Sequence, residues 1–142
     1  MFEEQINIKS YEANDTPEFS QYIPDISRIM GECFDNPHYV PEINGNMWIM
    51  LFTEDLLIGF LMIDSNNCIW NVSVCRNYRK KGLGRTLLEL TICHAISSGN
   101  GIPKLFVDKS KEDWDKLVQM YEKLGFYTID IDRNDIHMEY LI

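Results

Sequence analysis

Nothing in this sequence pairs its cysteines. Cys33, Cys68, Cys75 and Cys93 show no Cys-x-x-Cys spacing and the three histidines are scattered, so no metal site and no disulfide framework is expected. Cysteine used in this way implies reduced thiols, and a cytoplasmic location is expected. Long apolar runs are missing too: none approaches the roughly eighteen residues of a membrane span, so no membrane partner is expected. The first twelve residues, MFEEQINIKSYE, are acidic and mixed, which is not the pattern of a signal peptide. Positive charge is scarce. Thirteen Lys and Arg stand against 22 Asp and Glu, and a net charge of −9 argues against nucleic acid while suiting a cationic substrate. Repeats, low-complexity segments and linkers are absent as well. With 142 residues, 45% of them hydrophobic, the chain can bury one sizeable core, and a single domain over residues 1–142 is expected.

What is present centres on residues 69–90, IWNVSVCRNYRKKGLGRTLLEL. Residues 68–75 are rich in β-branched and aromatic side chains and predict a buried strand. Residues 83–96 place Leu83, Leu87, Leu88, Leu90, Ile92, Ala95 and Ile96 on a wide helical stripe. Between them Arg79, Lys80, Lys81, Gly82, Leu83 and Gly84 form a basic turn with two glycines opening the helix. Backbone N–H groups at such a turn are unpaired and converge, and the helix dipole adds positive potential. Glycine lets an anion approach without a Cβ in the way. The turn is therefore a candidate phosphate site.

Two common phosphate loops are excluded by spacing. The Gly-x4-Gly-Lys-Ser/Thr order is absent, and the dinucleotide fingerprint fails because Leu87 stands where its third small residue belongs. Arg-x-x-Gly-x-Gly after a hydrophobic strand instead resembles the central motif of the acyl-CoA-dependent N-acetyltransferases, the GNAT superfamily. Val72, Ser73, Val74, Tyr78 and the run from Arg79 to Arg85 carry the likeness. A second block agrees, since residues 117–126, LVQMYEKLGF, resemble the family's later Tyr-Glu-Lys-Leu-Gly-Phe signature. Together the blocks extend the resemblance over residues 56–131.

The rest of the chain reads as alternating elements. Residues 2–11 predict a first, edge strand. Asn14 to Pro17 opens a helical region that Pro24 interrupts, with its main piece over residues 25–34. Residues 35–46, with two prolines and a glycine, predict a loop. Strands follow over 47–52 and 56–63, completing an antiparallel meander with 68–75. A stop over residues 97–101 ends the long helix, and residues 104–108 predict a strand parallel to 68–75. Ser110 to Asp113 has the form of a capping box for a helix bearing Trp114, Leu117, Val118, Tyr121 and Leu124 and ending at Gly125. Residues 126–131 and 136–141 predict a C-terminal hairpin. The expected class is α/β (α+β), and the resemblance implies a GNAT fold. That is a mixed, mostly antiparallel six- to seven-stranded sheet with a splay between the central parallel strands and helices on both faces.

The resemblance further implies function and roles. Acetyl-CoA would be co-substrate and a primary amine, a small molecule or polyamine, the acceptor, attacking directly in a ternary complex; a homodimer is compatible with this. Cofactor contacts would come from Val72, Ser73, Val74, Arg79, Lys80, Lys81, Gly82, Leu83, Gly84, Arg85 and Thr86, the pyrophosphate falling to Arg79 and the amides of residues 80–84. The pantetheine arm would lie in the splay as a missing strand does. Tyr121 occupies the place of the family's general acid beside the CoA sulfur; on its helical stripe it can also be read as a core aromatic. Trp114 stands where the family often has Asn. No general base is legible: Asn71 and Ser73 are neutral, leaving Asp108 and Asp64, both also readable as turn residues. Two other readings stay open. One is a protein or peptide N-terminal or lysine acetyltransferase, and the other a domain that binds CoA as sensor or scaffold without turnover.

Overall fold

The computed structural model describes residues 6–12, 21–34, 47–99 and 101–141. Among these described residues, seven strands and three α-helices follow in the order β1 (Ile6–Glu12), α1 (Ile23–Phe34), β2 (Met47–Thr53), β3 (Leu56–Ile63), β4 (Ile69–Val74), α2 (Leu83–Ser98), β5 (Lys104–Asp108), α3 (Trp114–Leu124), β6 (Phe126–Ile131) and β7 (Asp135–Tyr140). The expected helix opening at Asn14 to Pro17 and the expected loop over 35–46 fall outside the described residues. One correction concerns Pro24, which lies in the first turn of α1 rather than interrupting it. There a missing N–H costs nothing, because the first helical amides have no partner within the helix. A second concerns Ser110 to Asp113, which is a turn and not a capping box. Asp113 is the N-cap of α3 and its side chain makes no capping bond.

β1–β4 form one antiparallel sheet in sequence order, with β1 at its edge. The strands β5, β7 and β6 form a second antiparallel sheet in that order. The two sheets meet at a single parallel bridge between Cys68 and Lys104, secured by the Lys104 N–H donating to the Asn67 carbonyl at 3.0 Å. Beyond that bridge β4 and β5 part, and the edges they turn to each other are unpaired.

Burial follows from helices on both faces. Ser73 Oγ lies 3.8 Å from Met30 Sδ of α1. Its neighbour Val74 faces the other way, where a Cβ built on Gly59 would meet Val74 Cγ2 and Leu87 Cδ1 of α2, each at 3.6 Å. A strand covered twice has no polar face, so β2 and β3 read as continuous apolar runs and are buried almost throughout. Trp48, Phe52, Phe60, Ile26, Ile29, Met30 and Leu87 are among the fully buried side chains of this core. Among the described residues no helix is long and apolar enough to cross a membrane.

Candidate active site

The parting of β4 and β5 opens a cavity of about 380 Å³, lined on β4 by Ile69, Trp70, Asn71 and Val72 and on β5 by Leu105, Phe106, Val107 and Asp108. Lys111, Asp135 and two residues of α3, Leu117 and Tyr121, complete the lining. Strand alternation assigns these walls to two sides. Leu105 and Val107 are buried toward α3 with Met138 and Ile136. Phe106, Asp108 and Asp135 point to the opposite side, shared with α1. The cavity therefore reaches both faces of the sheet.

A β-bulge shapes its β4 wall. Phe60 pairs with Ser73 and Met62 with Trp70, so Asn71 and Val72 together oppose Leu61. Asn71 adopts a left-handed φ of 55°, a conformation Asn tolerates better than most side chains. A bulge leaves a residue outside the ladder, and here it bends β4 where the two sheets separate. The Ser73 hydroxyl braces it by donating to the Asn71 carbonyl at 2.8 Å.

Past β4, a 3₁₀ turn over Arg76–Tyr78 leads into the glycine turn. Its backbone alternates in hand, with Lys80 at φ 63° and Gly82 at φ 77°, the arrangement that turns successive N–H groups toward one concavity. Gly82 is the N-cap of α2, and its carbonyl accepts both the Thr86 N–H and the Thr86 hydroxyl at 3.0 Å. The amides of Leu83, Gly84 and Arg85 belong to the first helical turn and have no helical acceptor. No atom lies within 4 Å of a Cβ built on Gly82 or Gly84, so the space before them is open. The cationic side chains mostly bind elsewhere. The Arg79 guanidinium folds back, Nε donating to the Val74 carbonyl at 3.0 Å and Nη2 lying 3.2 Å from Cys33 Sγ. Arg85 pairs with Glu89 at 2.8 Å along the helix, and Lys81 Nζ sits over the Tyr78 ring, 5.3 Å from its centroid.

Of the sequence-derived candidates, Val72, Asp108 and Tyr121 thus meet in one cavity. Arg79, Lys80, Lys81, Gly82, Leu83, Gly84, Arg85 and Thr86 form the turn at the end of β4 where the strands part, and do not line the cavity. Ser73 and Val74 are outside its lining: one side chain packs on α1 and the other toward α2. The Tyr121 ring meets Phe126 edge-on at 6.0 Å, and burial, aided by Asp113, pushes its phenol up to about 12. Asp108 is held below the usual carboxylate range, chiefly by the Ser110 N–H donating to it at 2.9 Å. Lining residues that the sequence did not single out are Trp70, Phe106, Lys111 and Asp135. Asp135 is set opposite Asp108 by the β5–β7 register, which no local signal carries.

Against known proteins, the description "Acetyltransferase (GNAT) family" matches residues 9–126. The mycothiol acetyltransferase of Corynebacterium efficiens is 35% identical over 82 residues, 55% of this chain and 27% of that protein; the chain spans about a quarter of that relative's length. Among solved structures, an acyl-CoA N-acyltransferase from Pseudomonas aeruginosa superposes with a TM-score of 0.74 at 16% identity, covering 96% of this chain and 100% of the other. The PaiA N-acetyltransferase of Thermoplasma acidophilum, solved with coenzyme A, gives 0.71 at 18%, covering 97% and 99%. At those identities the structures establish the fold, and it is the one the sequence motifs led us to expect.

Proposed function

The chain belongs to the acetyltransferase (GNAT) family, and on that premise we propose that it moves an acetyl group from acetyl-CoA to a primary amine by direct attack in a ternary complex. One observation carries this reading: a cavity lined from both sheet faces, with Tyr121 on one side, Asp108 on the other and a bulge between them. A donor and an acceptor can enter from opposite faces and meet at the splay.

The residues present fit the donor. Open space before Gly82 and Gly84, with the unpaired first amides of α2, suits the phosphates. The unpaired edge of β4 suits an arm carrying amides, as an added strand would. When bound, acetyl-CoA supplies a thioester whose carbonyl carbon is the electrophile. Around it the backbone N–H left over by the bulge at Asn71 and Val72 is positioned to polarise a carbonyl oxygen. Tyr121, neutral far above working pH, donates a proton to the departing sulfur. Asp108 keeps its negative charge to low pH and attracts the ammonium form of the acceptor; its low proton affinity leaves the amine's proton to a water held beside it.

Release of free CoA thiol from acetyl-CoA, followed over a panel of primary amines and peptides, tests this. Amine-dependent release is expected. Binding of CoA with no thiol released by any acceptor would instead make the chain a non-catalytic CoA-binding domain.

A further inference from the structure

On the α1 side of the splay, three rings stand in a row across the two sheets. Trp70 of β4 and Phe106 of β5 stack at 6.3 Å between centroids with 25° between planes, and Phe106 and His137 of β7 at 4.8 Å and 26°. Trp70 and Phe106 remain 43% and 45% exposed although both line the cavity, so they are available to something that enters it. Trp70 is anchored, and a carboxylate stands beside the far ring of the row. Trp70 Nε1 donates to Asp64 at 2.9 Å, and His137 Nε2 lies 3.2 Å from the Glu139 carboxylate.

The orientation of the rings decides what they can bind. A 4.8 Å spacing equals the distance between neighbouring strands, so the rings stand up from the sheet with their faces toward each other. A ligand lying over the row meets ring edges, which carry the positive end of the aromatic quadrupole. Edges repel a cation, whereas the face of another aromatic ring is attracted to them in the T-shaped geometry. Asp64 and Glu139 flank the row at Trp70 and His137, and the carboxylates that line the cavity itself lie elsewhere. Asp108 and Asp135 are paired two residues further along β5 and β7, about 6–7 Å from the rings. A short arylalkyl amine with its ring on the row therefore brings its ammonium within hydrogen-bond reach of that carboxylate pair. Lys111 shares the cavity and partly offsets those carboxylates.

Resting on the acetyltransferase reading above, we propose that the acceptor is an arylalkyl amine: its ring lies on the Trp70–Phe106–His137 edge row and its ammonium faces Asp108 and Asp135. Trp70 and Phe106 are then specificity-determining residues, and an aliphatic polyamine, which offers cations to ring edges, is a poor acceptor.

The test compares kcat/KM for 2-phenylethylamine and 1,4-diaminobutane in the wild type, Trp70→Leu, Phe106→Leu and Phe106→Tyr, with melting temperatures recorded for each. The wild type should favour the aryl amine by about tenfold or more, the scale of a lost aromatic contact set in a shaped pocket. Either Leu variant should lose about 3–10-fold on the aryl amine alone, and Phe106→Tyr should retain the preference. A wild type that uses the diamine equally well, or Leu variants that lose both substrates in parallel, overturns the proposal. Should no amine release thiol, the acetyltransferase reading fails by itself. Calorimetric binding of 2-phenylethylamine in the presence of CoA then decides the aryl site: binding that Phe106→Leu abolishes supports it, and no binding refutes it.

Discussion

Replacing Tyr121 by Phe separates a proton donor from a packing aromatic. The ring contact with Phe126 at 6.0 Å and the place on the stripe with Leu117 and Leu124 survive, because Phe keeps the ring. Only the hydroxyl is lost, so stability should move by no more than one hydrogen bond, roughly 0.5–1.5 kcal/mol. If the phenol protonates the leaving thiolate, the single-turnover rate should fall on the order of 10²–10⁴-fold with CoA affinity unchanged. The pH behaviour gives an independent check. Burial raises the phenol to about 12 in the folded chain, against about 10 when unfolded. The folded state thus binds the proton more tightly. Its stabilising contribution is fully present below about pH 10 and is lost as pH rises through about 12. Acid catalysis should accordingly show no downturn near pH 10. Rapid-quench measurement of acetyl transfer, beside thermal melting of the same variant, reads all of this. A Phe variant with wild-type turnover would end the catalytic assignment and leave Tyr121 as packing.

Gly125→Ala should destabilise by about 2–4 kcal/mol, because the site holds φ 113° and a new Cβ would sit 2.7 Å from Tyr140 Cε2; equilibrium denaturation showing a loss under ~0.5 kcal/mol would contradict that. Thiol labelling of the native chain should reach the exposed Cys93 early and Cys68 only on unfolding. Burial first, then Asp64, raises the Cys68 thiol to about 12, and only thiolate reacts. Mass spectrometry that finds Cys68 modified as fast as Cys93 would refute it.

Elements with a local signal were legible in the sequence. β3, β5 and β6 run over the residues their apolar patterns marked, and Gly125 ends α3 where its sequence places the stop. The glycine turn was legible because Gly82 adopts a positive φ, a demand written in residue type. Ser110 to Asp113 misled because capping-box residues also suit turns: the Asp108 carboxylate captures the Ser110 N–H, and the helix starts only at Trp114. The bulge at Asn71 and the meeting of Asp108 with Asp135 were not legible. Both are properties of cross-strand register, set by packing between segments far apart in the chain.

The claim on which the rest depends is that the turn over residues 79–84 receives the CoA phosphates, and Gly84→Asp tests it with opposite signs for folding and binding. Gly84 lies in the first turn of α2 with no atom within 4 Å of a built Cβ, so a side chain fits. A carboxylate there complements the helix dipole by about 0.3–1 kcal/mol. The melting temperature should hold or rise. That same carboxylate occupies and repels the position of the phosphates, so calorimetric titration with acetyl-CoA should give binding for the wild type and none for the variant. A folded Gly84→Asp protein that binds acetyl-CoA within a few-fold of the wild type would place the phosphates elsewhere and contradict the account.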